Sequence, residues 1–325
     1  MPVPLPNNDF QDPLWREAYD KCLGDEANAA DNEAAPIHAR MLGYCMREAH
    51  GRGSDNIARA IVVCHNDQEK FTQVAYRYIH HFLRCFRSAK GRTPTPSTHP
   101  SLPAFDDTQQ AAADFLKEPP TNHATAKHKA LVRDRSKCML TGEFDLNIYF
   151  TKPHLYTEGT PLCTEAAHIV SASSNAATSD EAERKYAAFV WDLLKSFGST
   201  LSFEQLNGSG LHRLENIMTL CYDKHDSFDK LRLWLDSTVS RTPRTPYFEL
   251  GYQKLTFTTD DPVNYPLPNP EYLRHHAAAA RVAYMSGAGE YIERVLTDME
   301  MASVLADDGS SVELLAAALV VNTVH

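Results

Sequence analysis

With 325 residues, 43% of them hydrophobic and 23% charged, the chain is long enough to bury a substantial core and to divide into two or three structural units. Seven cysteines, an odd number without a CxxC pair, argue against a disulfide scaffold and for free buried thiols. A formal net charge of −10 excludes a protein that coats nucleic acid with general positive charge, so a polyanion partner has to meet a local basic surface.

The first residues, "MPVPLPNNDF", lack the basic segment and apolar stretch of a secretion signal, and the longest apolar run, Leu314 to Val321, is too short for a bilayer. The expectation is a soluble intracellular protein, cytoplasmic or nuclear, with no membrane partner. From Phe10 to about Phe86, "DPLWREAYDKCL", "APIHARMLGYCMREAH", "NIARAIVVCH" and "FTQVAYRYIHHFLRCF" carry apolar positions at three- and four-residue spacing. They predict a helical N-terminal unit over 1–92. Six prolines between Pro94 and Pro120 then predict a linker or strap over 93–122, because proline lacks an amide donor and restricts its predecessor.

Next, "KHKALVRDRSKCMLTGEFD" brings Lys127, Lys129, Arg133, Arg135 and Lys137 together before a Thr141-Gly142 turn. Such a run serves as a solvated loop or as a phosphate-backbone contact. The texture then turns to β in "NIYFTK", "EAAHIV", "LRLWLD", "YFELGY" and "KLTFTT", interrupted by one helix, "SDEAERKYAAFVWDLLKSF", with Ser179 or Asp180 as N-cap. Beyond Pro268 the pattern is helical again, in "PEYLRHHAAAARVAYMSGAGEYIERVL" and "SSVELLAAALVVNTV". Alanine-rich 277–283 and "VELLAAALV" offer faces for core packing or self-association.

Three pieces fall in an informative order: "EAAHIV" at 165, "LENIMTLCYDKH" from Leu214 to His225, and "FDKLRLWLD" after it. Together they resemble the HNH endonucleases, whose ββα-metal motif runs strand with histidine, loop with asparagine, helix with a second histidine. Eight residues separate Asn216 from His225, the usual spacing of that family, and Leu220-Cys221 stands where the family commonly has a leucine-cysteine pair. "CMLTG", "EAAHI" and "FD" look like the HNH subfamily common in fungal proteins of unassigned role. The resemblance spans about 138 to 260.

It implies a metal-dependent nuclease cutting phosphodiesters, DNA rather than RNA, with His168 as general base and Asn216 holding the loop that sets its approach. The residues support such chemistry by themselves. A strand histidine titrating near neutrality suits a base. If Cys221 to Lys230 is helical, His225 and Asp229 share one face and converge on a Mg²⁺, Mn²⁺ or Zn²⁺ ion. Many family members place an aspartate or histidine ligand directly before the base; here that position is Ala167, leaving Glu165, two residues further back, as a third candidate ligand. The two-knuckle structural zinc of some members is incomplete, since only Cys138 and Cys221 remain of its four thiolates. The bland readings are a hydrogen-bonded strand histidine at 168, and packing or surface roles for His80-His81 and His275-His276.

The expected architecture is α+β: the helical unit, the strap, an HNH module over 123–262 enlarged by extra strands and a helix, and C-terminal helices over 263–325 packed back on the core. Two other functions stay open. An HNH fold without nuclease activity, acting as a binding or interaction module, fits Ala167 and the net acidity; reuse of the His168 pocket on a small molecule is the second.

Overall fold

The computed structural model describes residues 2–29, 34–87, 120, 122–156, 158–171, 181–199, 201, 203–237, 243–247 and 251–301. Four helices open the chain. α1 (Pro13–Ala27) starts where the Asp12 carboxylate accepts the Leu14 and Trp15 amides and Pro13 fills the first turn, a position that needs no donor. α2 (Ala34–Glu48) is buried through Met41, Leu42, Tyr44 and Cys45, so it forms the centre of this unit. α3 (Gly53–Val63) and α4 (Gln68–Tyr76) follow, and the chain continues from α4 through a π turn, Arg77–Phe82, and a 3-10 turn, Leu83–Cys85.

The second half is mixed. α5 (His123–Arg133) begins in a reciprocal cap between Asn122 and Thr125. After it come α6 (Leu146–Thr151), β1 (Thr164–His168), α7 (Glu181–Ser196), the single turn α8 (Phe203–Leu206), β2 (Ile217–Cys221) and α9 (Tyr222–Asp229). β1 and β2 form an antiparallel ribbon in which Thr164 faces Cys221 and His168 faces Ile217. α9 leaves the ribbon at once, its first residue following Cys221 directly. Beyond it, β3 (Asp236–Ser237), β4 (Pro243–Tyr247) and β5 (Gly251–Lys254) make a small antiparallel sheet. α10 (Pro270–Ser286) and α11 (Ala288–Met301) are separated by Gly287, whose φ of +83° stops the first helix. The result is an α+β fold rich in helix.

One apolar core runs through both halves, joining Met41, Ile57 and Phe82 to Phe197, Met218, Phe228 and Val282. The small residues Ala277 to Ala280 of α10 are all buried, and Arg281, the next residue, reaches Glu48 of α2 at 2.7 Å. The end of α7 crosses the α2–α3 turn even more closely. The His50 amide donates to Phe197 O at 3.2 Å, a Cβ on Gly53 would stand 2.3 Å from that same oxygen, and one on Gly198 would stand 1.7 Å from His50 O. Gly198 also has φ +83°, so two independent demands fix a glycine there.

Several expected elements differ. "NIYFTK" is helix α6, because buried Asp145 caps it, accepting the Ile148 amide at 3.0 Å while also holding the Thr164 hydroxyl at 2.5 Å. "LRLWLD" is a turn down to β3: Leu231 takes a left-handed conformation, φ +57°, and the amides of 231–233 return to carbonyls at the end of α9. "KLTFTT" keeps only Lys254 in a strand, with Leu255 and Phe257 packed on the core. The strands of the "YFELGY" region flank 248–250, and the long C-terminal helix is two helices. Of the thiols, Cys163 is exposed and the other six are buried. Most of the proline strap, the Ser179/Asp180 cap and the final "VELLAAALV" helix lie outside the described residues. Among those described, no helix is long and apolar enough to cross a membrane.

Candidate active site

The ribbon and α9 position the titratable groups. Register sets Glu165 opposite Leu220, level with the start of α9, so its carboxylate reaches the first helical turns. Glu165 Oε2 lies 2.6 Å from His225 Nδ1, and one helical turn on, Asp229 Oδ2 lies 3.3 Å from His225 Nε2. Burial works against a charge on His225, but Asp229 and Glu165 outweigh it, and the imidazole titrates above its ordinary value.

His168, at the end of β1, stands against a pair of histidines. Its Nε2 is 3.2 Å from His212 Nδ1, and the His123 ring lies 5.5 Å away, tilted by 33°, with its own Nε2 on Ala166 O. Burial, reinforced by His123, His212 and His225, pulls His168 down to about 3, so its ring is neutral at physiological pH. Asn216, fully buried, takes the Val170 amide on Oδ1 at 2.9 Å and donates from Nδ2 to Val170 O and Leu211 O, both at 3.0 Å. It thereby ties the residues just after His168 to the loop just before its own strand.

A strand histidine, a clamped loop asparagine and a helical histidine thus occur in one ribbon-and-helix unit. Residues 138–236 match the HNH endonuclease family model. Proteins with this domain are generally nucleases, and the match supports nuclease-type function and nucleic-acid binding for that segment. No curated protein and no solved structure matches the chain.

Within the HNH segment the donors divide unequally. At 2.6 Å the Glu165–His225 contact is a charge-assisted hydrogen bond, too close to admit an ion between the two atoms. The Asp229–His225 spacing of 3.3 Å is that of neighbouring ligands each roughly 2.1 Å from a shared ion. Two carboxylates on opposite ring nitrogens cannot share one cation with the imidazole, and among the described residues no group of three or more His, Cys, Asp or Glu is placed to hold a metal ion. Of these groups His225 Nε2 and Asp229 are the pair whose spacing could hold a cation, while Glu165 bonds the imidazole from its far side. Ala167, fully buried and paired with Met218, offers no donor.

The basic stretch splits too. Arg133 is buried: it donates to Leu214 O and Ile217 O at 2.8 Å each and to Pro266 O at 3.2 Å, and pairs with Asp134. Lys129 is likewise 2% exposed. These two belong to the scaffold and not to a phosphate surface, whereas Arg135 is exposed beside Asp260 and Lys127 and Lys137 are half-buried. Cys138 and Cys221 meet, the Cys221 amide donating to Cys138 Sγ at 3.3 Å, and burial together with Cys138 pushes the Cys221 thiol up. Sequence reasoning did not find His212 and His123. A signal existed for His212, four residues before Asn216 in "GLHRLEN", but His123 comes from another helix and carries no local mark.

Proposed function

We propose that the HNH segment is a metal-dependent nuclease that hydrolyses phosphodiester bonds in DNA. The observation that carries this reading is the Asn216 clamp, which holds the end of the His168 strand in register with the ribbon that launches His225 and Asp229. His168, kept neutral, accepts a proton from water through its Nδ1, the nitrogen turned from His212. Asn216 fixes where that lone pair points. His225 Nε2 and Asp229, one imidazole and one carboxylate, would hold a divalent ion, Mg²⁺, Mn²⁺ or Zn²⁺, and Glu165 fixes the imidazole tautomer. Such an ion supplies charge neutralisation at the phosphoryl oxygens and the departing 3′-oxygen. Lys127, Arg135 and Lys137 remain as candidates for backbone phosphates.

Plasmid nicking tests this. Wild type with Mg²⁺ or Mn²⁺ is expected to cut, and His168→Ala and His225→Ala to lose at least about a thousandfold in rate. Ala167 and the engagement of both His225 nitrogens favour a second reading, a non-cutting module that binds nucleic acid. Binding without cutting by wild type in either metal establishes that one instead.

A further inference from the structure

We infer that His212 is the proton-relay partner of His168, taking over the proton that the buried base cannot keep. The inference rests on the nuclease reading and deepens it. His168 Nε2 and His212 Nδ1, 3.2 Å apart, form one hydrogen bond only if a single proton lies between them. With that proton on His168 Nε2, the His168 Nδ1 lone pair is open to water, and His212 carries its own proton on Nε2.

A relay is needed because His168 stands in poor surroundings for a positive charge. His123 from α5, His212 from the 208–212 turn and His225 from α9 all repel an imidazolium there, on top of burial, and they include no carboxylate. His212 is set against His123 and His168, with neighbouring Arg213 already paired to Glu215 at 2.8 Å. When His168 Nδ1 takes the water proton, its Nε2 proton passes to His212 Nδ1, and the His212 Nε2 proton leaves to solvent. His168 stays neutral throughout. The hydroxide electron pair forms the new P–O bond, the P–O3′ bond breaks with its electrons on oxygen, and that oxygen takes a proton from solvent. Product release lets the His168 Nδ1 proton escape, and the chain refills through His212. Asn216 sets the spacing of the two rings, since it holds Val170 beyond His168 and Leu211 before His212.

The full-length protein is assayed for plasmid cleavage with Mg²⁺ across pH 5.5–8.5 as wild type, His168→Ala, His212→Ala and His212→Gln, with thermal unfolding to confirm folding. Both His212 variants are expected to cut at least about tenfold slower with KM within twofold. Glutamine accepts the His168 proton but cannot pass one on, so it is not expected to rescue. Imidazole added to His212→Ala is expected to restore the rate in proportion to its neutral form. A His212→Gln variant at wild-type rate, beside an inactive His168→Ala, overturns the relay while leaving the nuclease reading intact. A slow His212→Ala that imidazole does not revive overturns it as well. If wild type leaves DNA whole, the nuclease reading falls and the relay with it.

Discussion

Asn216 holds Val170 from both sides of its peptide unit, accepting its amide proton at 2.9 Å and donating to its carbonyl at 3.0 Å. The same amide group also bonds Leu211 O, so one side chain saturates three buried backbone groups. Truncation strands all three, and water cannot reach them. Asn216→Ala is expected to lower stability by about 3 kcal/mol in urea unfolding and to abolish cleavage. Asn216→Asp keeps one acceptor but loses both donors and adds a buried charge, so it is expected to do no better.

His225 links stability to pH. Its folded-state titration lies above the ordinary 6.5, so the stability its carboxylate partners confer is complete below 6.5 and drains away as pH climbs through the folded value. In chelator-treated protein the melting temperature lost on Asp229→Asn or Glu165→Gln is expected to be larger at pH 6 than at pH 8. Because a cation on Nε2 displaces a proton, Mg²⁺ or Mn²⁺ affinity by calorimetry is expected to rise over the same interval. A pH-independent affinity sinks this assignment.

Arg133 and Arg135 are two residues apart yet should behave as opposites. Arg133→Ala leaves three carbonyls and Asp134 without their cation and is expected to destabilise by roughly 3–5 kcal/mol. Arg135→Ala and Lys137→Ala are expected to leave folding intact and to reduce the slope of log affinity against log salt for duplex DNA by about one each. Filter binding between 50 and 200 mM salt reads the difference.

His275 is a cost built into α10. It is fully buried, and among the described residues neither ring nitrogen has a hydrogen-bond partner; burial, with Arg274 and His50, lowers it to about 4. Its unfolded form binds a proton below 6.5 that the folded form refuses until near 4, so wild-type stability is full above 6.5 and erodes as pH falls between those values. His275→Leu removes the unmet polar groups in a similar volume. It is expected to gain about 1 kcal/mol at neutral pH and to flatten the acid limb of the unfolding curve.

What the chain discloses by itself follows the range of the forces involved. Helices over 13–63 were legible because their apolar spacing and caps are local, and the spacing of His168, Asn216 and His225 was legible because a ribbon and the helix after it are consecutive. "NIYFTK" misled because β-prone side chains were overruled by a cap whose buried partner, Thr164, comes from β1. Arg133 read as surface charge because its carbonyl partners lie more than 80 residues away. Glu165 read as a weak ligand because strand parity says nothing of a helix that bends back over the same face. The three imidazoles around β1 could not be read at all, since His123, His168 and His212 meet only after folding.

The crossing of Gly53 and Gly198, where peptide groups touch with no room for a methyl, has a practical meaning. The segment inserted between His168 and Asn216 is soldered to the opening helices, so the HNH segment is not a cassette to be cut out and moved. An excised fragment starting near residue 120 would lay bare Phe197 and its neighbours and clump, whereas the two pieces co-expressed should find each other and refold as one.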